Sequence, residues 1–196
     1  LPRNFRTSAD SFSGGELVSR EGLDWLRISG SGQPSEAGLA ALYEHIRELT
    51  MAPVYLLDLR QESHGFAGGN GISWYSQHNL ANQYQGAAAV EGIEREQLSR
   101  LVDHEMVAVP LGLEDTASFV PVQAVVKRVV TEQEASARLG FHYVRIAAPD
   151  QMWPEPQAVD DFMDFYKSLP DEPVWVHFHC QAGHGRTTIF MVMYDF

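Results

Sequence analysis

Apolar residues along the chain fall into two alternating patterns, continuous runs and longer stretches with helical spacing. The runs predict strands at 23–29, 53–60, 141–148 and 173–179, with a strand or extended segment at 122–130. The helical stretches lie at 36–49, 90–105, 131–140, 154–170 and 186–196. Strands that alternate with helices predict an α/β fold with a mostly parallel central sheet and helices on both faces.

Polar residues and glycines mark where these elements begin and end. Ser35 is placed to cap the first helix. Thr131, with Glu134 three positions later, starts another helix that Gly140 stops. The segment 29–35 predicts a turn, and the glycine-rich segment 62–79 predicts a long loop, a kind of segment that is often functional.

Length and composition predict one domain spanning residues 1–196. The 44% hydrophobic content suffices for one substantial core. No apolar run is long enough to cross a membrane, and no signal peptide is visible. The chain begins with Leu1 rather than Met, so we expect that an upstream segment was removed. A single cysteine excludes an internal disulfide.

The charge balance is strongly acidic, with a formal net charge of −12. This charge disfavours nucleic acid and membrane surfaces as partners. The cations are twelve arginines and two lysines. A phosphate-rich ligand must therefore be held by a local cluster of arginine and backbone amides, a task that suits the planar guanidinium group.

The stretch HCQAGHGRT, residues 179–187, joins the end of a predicted strand to the start of a predicted helix. Backbone N–H groups and the helix dipole favour an anion at such a junction. Gly183 and Gly185 would let the backbone curl around a phosphate, and Arg186 would close over its oxygens. The same field favours a nucleophilic thiolate at Cys180. A buried filler cysteine is the alternative, but it leaves the two glycines and the arginine unexplained.

HCQAGHGRT is similar to the H-C-x5-R-[ST] signature of cysteine-dependent protein tyrosine phosphatases. The stretches DLRQESHGF…SWY (58–75) and RIAAPDQMWPEP (145–156) resemble the bacterial protein-tyrosine-phosphatase-like phytases, and the likeness runs from LPRNFR to FMVMYD. The resemblance implies a protein tyrosine phosphatase-like fold and stepwise hydrolysis of inositol polyphosphates, such as phytate, through a phosphocysteine. It also implies no cofactor or metal, a small-molecule substrate, and a secreted or periplasmic location.

The resemblance also assigns roles to individual residues. Asp150, on the loop 149–155, would be the general acid, although a turn residue after Pro149 is the alternative reading. Thr187 would hydrogen-bond the cysteine sulfur, His179 would orient the catalytic loop 179–187, and Trp153 would pack the acid loop. The substrate phosphate would contact the loop residues Gln181, Ala182, Gly183, His184 and Gly185. His184 would either approach the substrate or face outward.

Further candidates lie outside the two loops. Arg60 ends a predicted strand and would contact substrate phosphate, the alternative being a surface ion pair with Asp58 or Glu62. His64 is a weaker candidate for the pocket rim. Trp74 and Tyr75 are predicted to be core residues. A metal site at His177, His179 and His184 is disfavoured, because no carboxylate or further cysteine at ligand spacing completes a tetrahedral set. Arg3 and Arg6 lie in the N-terminal part of the family match, and solvated charge is the alternative for both.

Several alternatives remain open from the sequence. A protein tyrosine or dual-specificity phosphatase would need a deep, aromatic-lined pocket, whereas an arginine-rimmed opening would favour inositol phosphates. A non-catalytic phosphate-binding module and a sulfurtransferase would use the same loop. The family continues beyond the loop helix and supplies further lysines there. The sequence ends at Phe196, so a C-terminal tail is expected to be missing either from the protein or from this chain.

Overall fold

A computed structural model describes residues 1–11, 19–109 and 121–196. Its strands are β1 (Arg6–Thr7), β2 (Ile28–Gly32), β3 (Val54–Asp58), β4 (His64–Ala67), β5 (Asn70–Ser73), β6 (Glu105–Ala108), β7 (Val122–Val125), β8 (Val129–Val130), β9 (His142–Arg145) and β10 (Trp175–Cys180). Its α-helices are α1 (Glu36–Leu49), α2 (Ala87–Ser99), α3 (Glu132–Leu139), α4 (Pro156–Ser168) and α5 (Gly185–Asp195), and two short 3-10 helices lie at Leu23–Trp25 and Gln77–Asn79. No helix within these ranges is long and apolar enough to span a bilayer.

The central sheet has five strands in the order β1-β2-β10-β3-β9. Strands β2, β10, β3 and β9 run parallel, and β1 is antiparallel to β2 at one edge. Two smaller antiparallel sheets have the orders β5-β4-β8 and β6-β7. The prediction of a mostly parallel central sheet is confirmed.

Helices cover both faces of the central sheet, as predicted. Strand β3 shows why, because successive residues point to opposite faces. Leu56 packs in one cluster with residues of α1, and Leu57 packs in another with residues of α4 and α5. Phe162 of α4 and Phe190 of α5 meet edge to face, with ring centroids 5.4 Å apart. Strand β3 therefore buries apolar side chains on both faces, as buried parallel strands usually do.

The prediction of a strand at 23–29 is wrong for most of these residues. Leu23–Trp25 forms a 3-10 helix, and the strand begins only at Ile28 and continues to Gly32, through residues predicted to turn. These small residues are needed because α5 packs directly on β2. A Cβ on Gly30 would lie 2.6 Å from side-chain atoms of Thr187 and Met191. Pairing with β1 and β10 and this close helix approach outweigh the weak strand propensity of Gly and Ser.

The loop predicted at 62–79 contains a β-hairpin instead. Strands β4 and β5 pair with Ala67 opposite Asn70, which leaves a two-residue turn of Gly68 and Gly69. Both glycines have positive φ values, 57° and 86°. Such turns match the twist of the flanking strands, and they favour glycine. The Gly-Gly pair is thus typical of a hairpin turn, and the prediction of a loop without strands is wrong here.

The predicted helix boundaries vary in accuracy. The hydroxyl of Ser35 accepts the N–H of Gly38, and Thr131 and Glu134 form a capping box, as predicted. Gly140 ends α3 in the left-handed conformation. The helix predicted at 90–105 is displaced towards the N-terminus in α2, and the segment 122–130 is divided between β7 and β8.

Candidate active site

The candidate site lies at the carboxyl edge of the central sheet. Because β2, β3, β9 and β10 are parallel, their last residues, Gly32, Asp58, Arg145 and Cys180, all fall on this edge. Ligands of open α/β sheets bind at the carboxyl ends of the strands. The loop that follows Cys180 leads directly into α5, as predicted.

The backbone of this loop requires a glycine at one of the two predicted positions. Gly183 has a φ of 82°, and a Cβ there would lie 2.4 Å from the Gly32 nitrogen and the Ser31 carbonyl carbon. At Gly185 a Cβ would meet nothing within 4 Å. The curl of the loop therefore requires glycine at Gly183, whereas no steric contact requires it at Gly185.

The sulfur of Cys180 accepts two hydrogen bonds at the bottom of the loop. The N–H of Gly183 and the hydroxyl of Thr187 each donate to Sγ over 3.2 Å. Cys180 is 3% exposed. Donors aimed at sulfur favour its negatively charged form. The hydrogen bond expected of Thr187 is present, while its part in the chemical step stays a prediction.

Arg186 is held almost completely buried beside this sulfur. Its Nη1 and Nη2 donate to the two carboxylate oxygens of Glu62 over 2.7 and 2.8 Å. Nη1 also donates to the carbonyls of Leu59 and Ala148. Burial opposes the charge, but Glu62 and Asp150 outweigh it and raise the pKa of Arg186 above its ordinary value. The buried Nε has no partner within the described residues, so it is available to a ligand oxygen.

The structure brings Asp150 next to Arg186. Its Oδ2 lies 3.3 Å from Nη2 of Arg186 and accepts the Asn79 side-chain amide over 2.7 Å. Asn79 also donates to Oε1 of Glu62 over 3.0 Å. The carboxyl group is 22% exposed, so one side remains open to solvent. Neither Asn79 nor Glu62 was assigned to the site from the sequence, and Asn79 carried no motif that could have identified it.

Arg60 does not face the cleft. It is fully buried, its Nε donates to Glu62 over 2.7 Å, and its Nη2 donates to the Ser73 hydroxyl over 2.6 Å. Its Nη1 donates to the side chain of Gln33. Arg60 therefore forms the ion pair with Glu62 that was the alternative to substrate contact, although the pair is buried rather than at the surface. Together the two arginines, after the opposing effect of burial, hold the pKa of Glu62 well below its usual range.

The prediction of His64 on the rim is wrong, because the side chain is fully buried behind the loop. Its Nε2 lies 3.0 Å from Oε2 of Glu132, and its Nδ1 lies 3.0 Å from the Glu62 carbonyl. His179 is also buried, and its carbonyl accepts the N–H of Leu59 over 3.0 Å. The imidazole of His179 lies 3.4 Å from Oε1 of Glu132.

The buried group of Asp58, His64 and Glu132 has ligand atoms within 4.8 Å of one another, as a metal site would. These side chains already have cationic and hydrogen-bonding neighbours, however. Nε of Arg145 lies 3.4 Å from Oδ2 of Asp58, and the Tyr143 hydroxyl donates to the same oxygen over 2.7 Å. The arrangement is that of a compensated ion network rather than a cation cage.

The cleft beside Arg186 has a volume of about 440 Å³. Trp153, predicted to pack the acid loop, is 80% exposed at this cleft, so the packing prediction is wrong. Arg186 is the only cation among the lining residues that the structure describes, so an arginine rim is not present there. The lining residues are Asp150, Gln151, Met152, Trp153, Gly185, Arg186 and Ile189.

A second cavity of about 600 Å³ reaches the other side of the loop at Gln181. Its lining includes Trp74 and Tyr75, and Tyr75 is 59% exposed rather than part of the core as predicted. His184 is also exposed, and its Nε2 lies 3.0 Å from Nδ2 of Asn4. The imidazole is thus turned towards the first residues of the chain.

Comparisons with known proteins agree with this geometry. The model of the protein-tyrosine-phosphatase-like phytase family, described as "Inositol hexakisphosphate", matches residues 57–196. The tandemly repeated phytase of this type from Mitsuokella multacida is 37% identical, with a TM-score of 0.91 over 100% of this chain. A myo-inositol phosphatase from that organism, in complex with myo-inositol-(1,3,4,5)-tetrakisphosphate, is 36% identical over 100% of this chain, also with a TM-score of 0.91.

Two further proteins are less similar in sequence. The Bdellovibrio bacteriovorus phytase is 32% identical over 99% of this chain, with a TM-score of 0.74. Effector protein hopD2 of Pseudomonas syringae pv. tomato is 29% identical over 97% of this chain. The chain spans 35% of each Mitsuokella protein, 62% of the Bdellovibrio protein and 41% of hopD2. The similarity therefore covers one region of longer proteins.

Proposed function

Because the chain belongs to the protein-tyrosine-phosphatase-like phytase family, we propose that it hydrolyses inositol polyphosphates, phytate among them, one phosphate at a time. The observation that carries the proposal is the Cys180 sulfur, which accepts two hydrogen bonds at the bottom of an anion-binding loop. A cysteine sulfur that accepts two hydrogen bonds beside a buried arginine is positioned to attack phosphorus.

In the first step the Cys180 thiolate attacks the phosphorus of the bound monoester. The S–P bond forms as the bond from phosphorus to the inositol oxygen breaks. Asp150 gives its proton to the departing oxygen, because an alkoxide is a very poor leaving group. The products of this step are the free alcohol and a phosphocysteine.

In the second step water replaces the sulfur. The Asp150 carboxylate removes a proton from the water as its oxygen attacks phosphorus, and the S–P bond breaks. The hydrogen bond from Thr187 stabilises the thiolate that leaves. Inorganic phosphate is released, and Asp150 is protonated again for the next cycle.

Arg186 and the loop amides carry the phosphate charge through both steps. The pairing with Glu62 fixes the guanidinium plane, and the buried Nε faces no competing partner among the described residues. Preorganised donors of this kind stabilise charge that develops in the transition state. The mechanism uses no metal ion.

A protein tyrosine phosphatase is the second candidate, and one observation favours it. The cleft beside Arg186 carries apolar side chains from Met152, Trp153 and Ile189. A phosphotyrosine ring could pack on such a surface. An inositol ring carrying several phosphates would instead profit from additional cations around the opening.

The test measures phosphate release from inositol hexakisphosphate and from a phosphotyrosine peptide, without added metal, by the wild type, Cys180→Ser and Asp150→Asn. We expect release from the inositol substrate, abolition by Cys180→Ser, and a decrease of about 10²- to 10³-fold with Asp150→Asn. The Asp150 effect should shrink on an aryl phosphate, whose leaving group needs no proton.

Each other result has a distinct meaning. Activity on the peptide alone would replace the phytase assignment with the tyrosine phosphatase. Activity that survives Cys180→Ser would exclude the thiolate mechanism. If the wild type releases phosphate from neither substrate, the hydrolase is rejected and the non-catalytic binding module remains.

A further inference from the structure

The first residues of the chain lie against the outer side of the phosphate-binding loop. We call residues 3–6 the N-terminal arm. The arm is joined to β2 by a hydrogen bond from the Gly32 N–H to the Arg3 carbonyl, 2.9 Å long. Its side chains donate to three consecutive loop carbonyls, Arg3 to Gln181 (3.2 Å), Asn4 to Ala182 (2.8 Å) and Arg6 to Gly183 (2.7 Å).

These contacts also fix the direction of the N–H groups on the inner side of the loop, because the C=O and N–H of a trans peptide group point in opposite directions. A carbonyl held outward leaves the N–H of the next residue pointing inward. Both groups of the peptide between Ala182 and Gly183 are hydrogen-bonded in this way. Its carbonyl accepts the side-chain amide of Asn4, and its N–H donates to the Cys180 sulfur. The arm thus binds the reverse side of the amides that a phosphate would contact.

Arg6 also brings a positive charge to this side of the loop. Burial lowers the pKa of Arg6, and the negative charge of Cys180 acts in the opposite direction. The guanidinium is fixed by a second bond, from Nη2 to the Thr188 hydroxyl over 2.8 Å in the first turn of α5. Cys180 therefore has cations from two elements, Arg6 from the arm and Arg186 from α5.

We propose that the N-terminal arm is a positioning element for catalysis, which holds the phosphate-binding loop in its anion-binding form and, through Arg6, favours the Cys180 thiolate. Neither Arg3, Asn4 nor Arg6 touches the reacting atoms in this role. The effect on turnover rests on the proposed function, whereas the effect on the thiolate does not.

The test has two readouts on each variant. The first is the rate of alkylation by iodoacetamide between about pH 5 and about pH 9, which follows the thiolate. Cys180 is the only cysteine, so this rate reports on it alone. The second is the kcat and KM for phosphate release from inositol hexakisphosphate. The variants are Arg6→Gln, Arg6→Lys, Asn4→Gly and Asn4→Asp.

The substitutions separate charge from geometry. Asn4 has a φ of 57°, so Asn4→Gly removes the side chain without the strain that alanine would add. Asn4→Asp keeps the shape but replaces the donor with a negative charge. Arg6→Lys keeps the charge and loses the two-pronged geometry. Arg47→Gln on α1 is the matched control, because Arg47 also donates to a backbone carbonyl, that of Ala52.

We expect Arg6→Gln to move the alkylation midpoint up by about one pH unit and to lower kcat about tenfold with little change in KM. Arg6→Lys should restore the midpoint, and Asn4→Gly should lower kcat about tenfold with a smaller change of midpoint. Arg47→Gln should match the wild type in both readouts.

A folded Arg6→Gln with the wild-type midpoint and kcat would overturn the proposal. If Arg6→Gln does not fold, Asn4→Asp provides the test. A wild-type alkylation midpoint and kcat in that variant would also overturn the proposal. If the wild type releases no phosphate but Arg6→Gln still shifts the alkylation midpoint, the proposed function is rejected. The positioning role of the N-terminal arm is then retained.

Discussion

Glu62 is the residue on which the geometry of the site depends most. Its carboxylate binds both end nitrogens of Arg186, Nε of Arg60 and the side-chain amide of Asn79. The two-pronged contact fixes the plane of Arg186 and leaves its Nε free of the carboxylate. Asn79 connects the same carboxylate to Asp150. One buried side chain therefore sets the position of the arginine and, through Asn79, of the acid.

We predict that Glu62→Gln lowers the free energy of unfolding by about 3–5 kcal/mol, because it leaves buried arginines without their counter-charge. Phosphate release should be lost with it, since Arg186 is no longer held in one plane. Urea unfolding gives the first quantity. The control is Glu96→Gln, whose partner Arg100 lies on the surface, and there stability should hardly change. A Glu62→Gln protein as stable as the wild type would contradict this account.

The residues of the loop motif could be predicted from the sequence, because they are close in the chain. Cys180, Arg186 and Thr187 occupy one strand-loop-helix junction, so their spacing fixes their relative positions. Asp150 required the family resemblance. His64 and Trp153 were misplaced, because spacing does not tell which side of a loop a side chain faces. The partners Asn4, Glu62 and Asn79 come from distant segments, and only the tertiary fold brings them together.

At the scale of elements, strongly periodic segments were predicted well and glycine-rich ones were not. Helices α1, α3, α4 and α5 and strands β3, β9 and β10 lie close to their predicted places. Most of strand β2 lies in the predicted turn 29–35, and the β4–β5 hairpin lies in the predicted loop 62–79. Their glycines serve close packing or a hairpin turn, and single-sequence propensity does not distinguish these uses from a loop.

The loop between β10 and α5 gives a prediction at this scale. Gly183→Ala forces a side chain into a positive φ and against the Ser31–Gly32 peptide, so the free energy of unfolding should fall by about 3 kcal/mol. Gly185→Ala is the control, because its Cβ meets open space, and its stability should stay within about 0.5 kcal/mol of the wild type. Thermal unfolding of the two variants checks this, and equal effects would contradict the geometry.

At the scale of the whole molecule, a buried ion network connects the sheet to the elements behind the loop. His64 of β4 lies between Asp58 of β3, Glu94 of α2 and Glu132 of α3. Arg145 of β9 bridges to Glu94 over 2.8 Å. Each removed charge would leave a buried partner uncompensated. The network therefore makes the stability of the whole fold depend on the protonation of His64.

This dependence leads to a prediction for the stability above neutral pH. Burial alone would lower the pKa of His64, but Asp58 and Glu94 outweigh it and raise the pKa from 6.5 to about 9. The folded protein thus holds a proton that the unfolded chain releases, so the stabilisation is complete below pH 6.5 and is lost as the pH rises through about 9.

We expect the free energy of unfolding in urea to fall by about 3 kcal/mol between about pH 6.5 and about pH 9.5. His177 should add little above about pH 7.5, because burial lowers its pKa in the folded protein and an unfolded histidine is then mostly neutral as well. His45→Gln is a matched control, since His45 pairs with Glu48 near the surface, and the decline should persist in that variant. A flat profile in the wild type would mean that His64 is neutral in the folded protein, and the network would then rest on Arg145 as its cation.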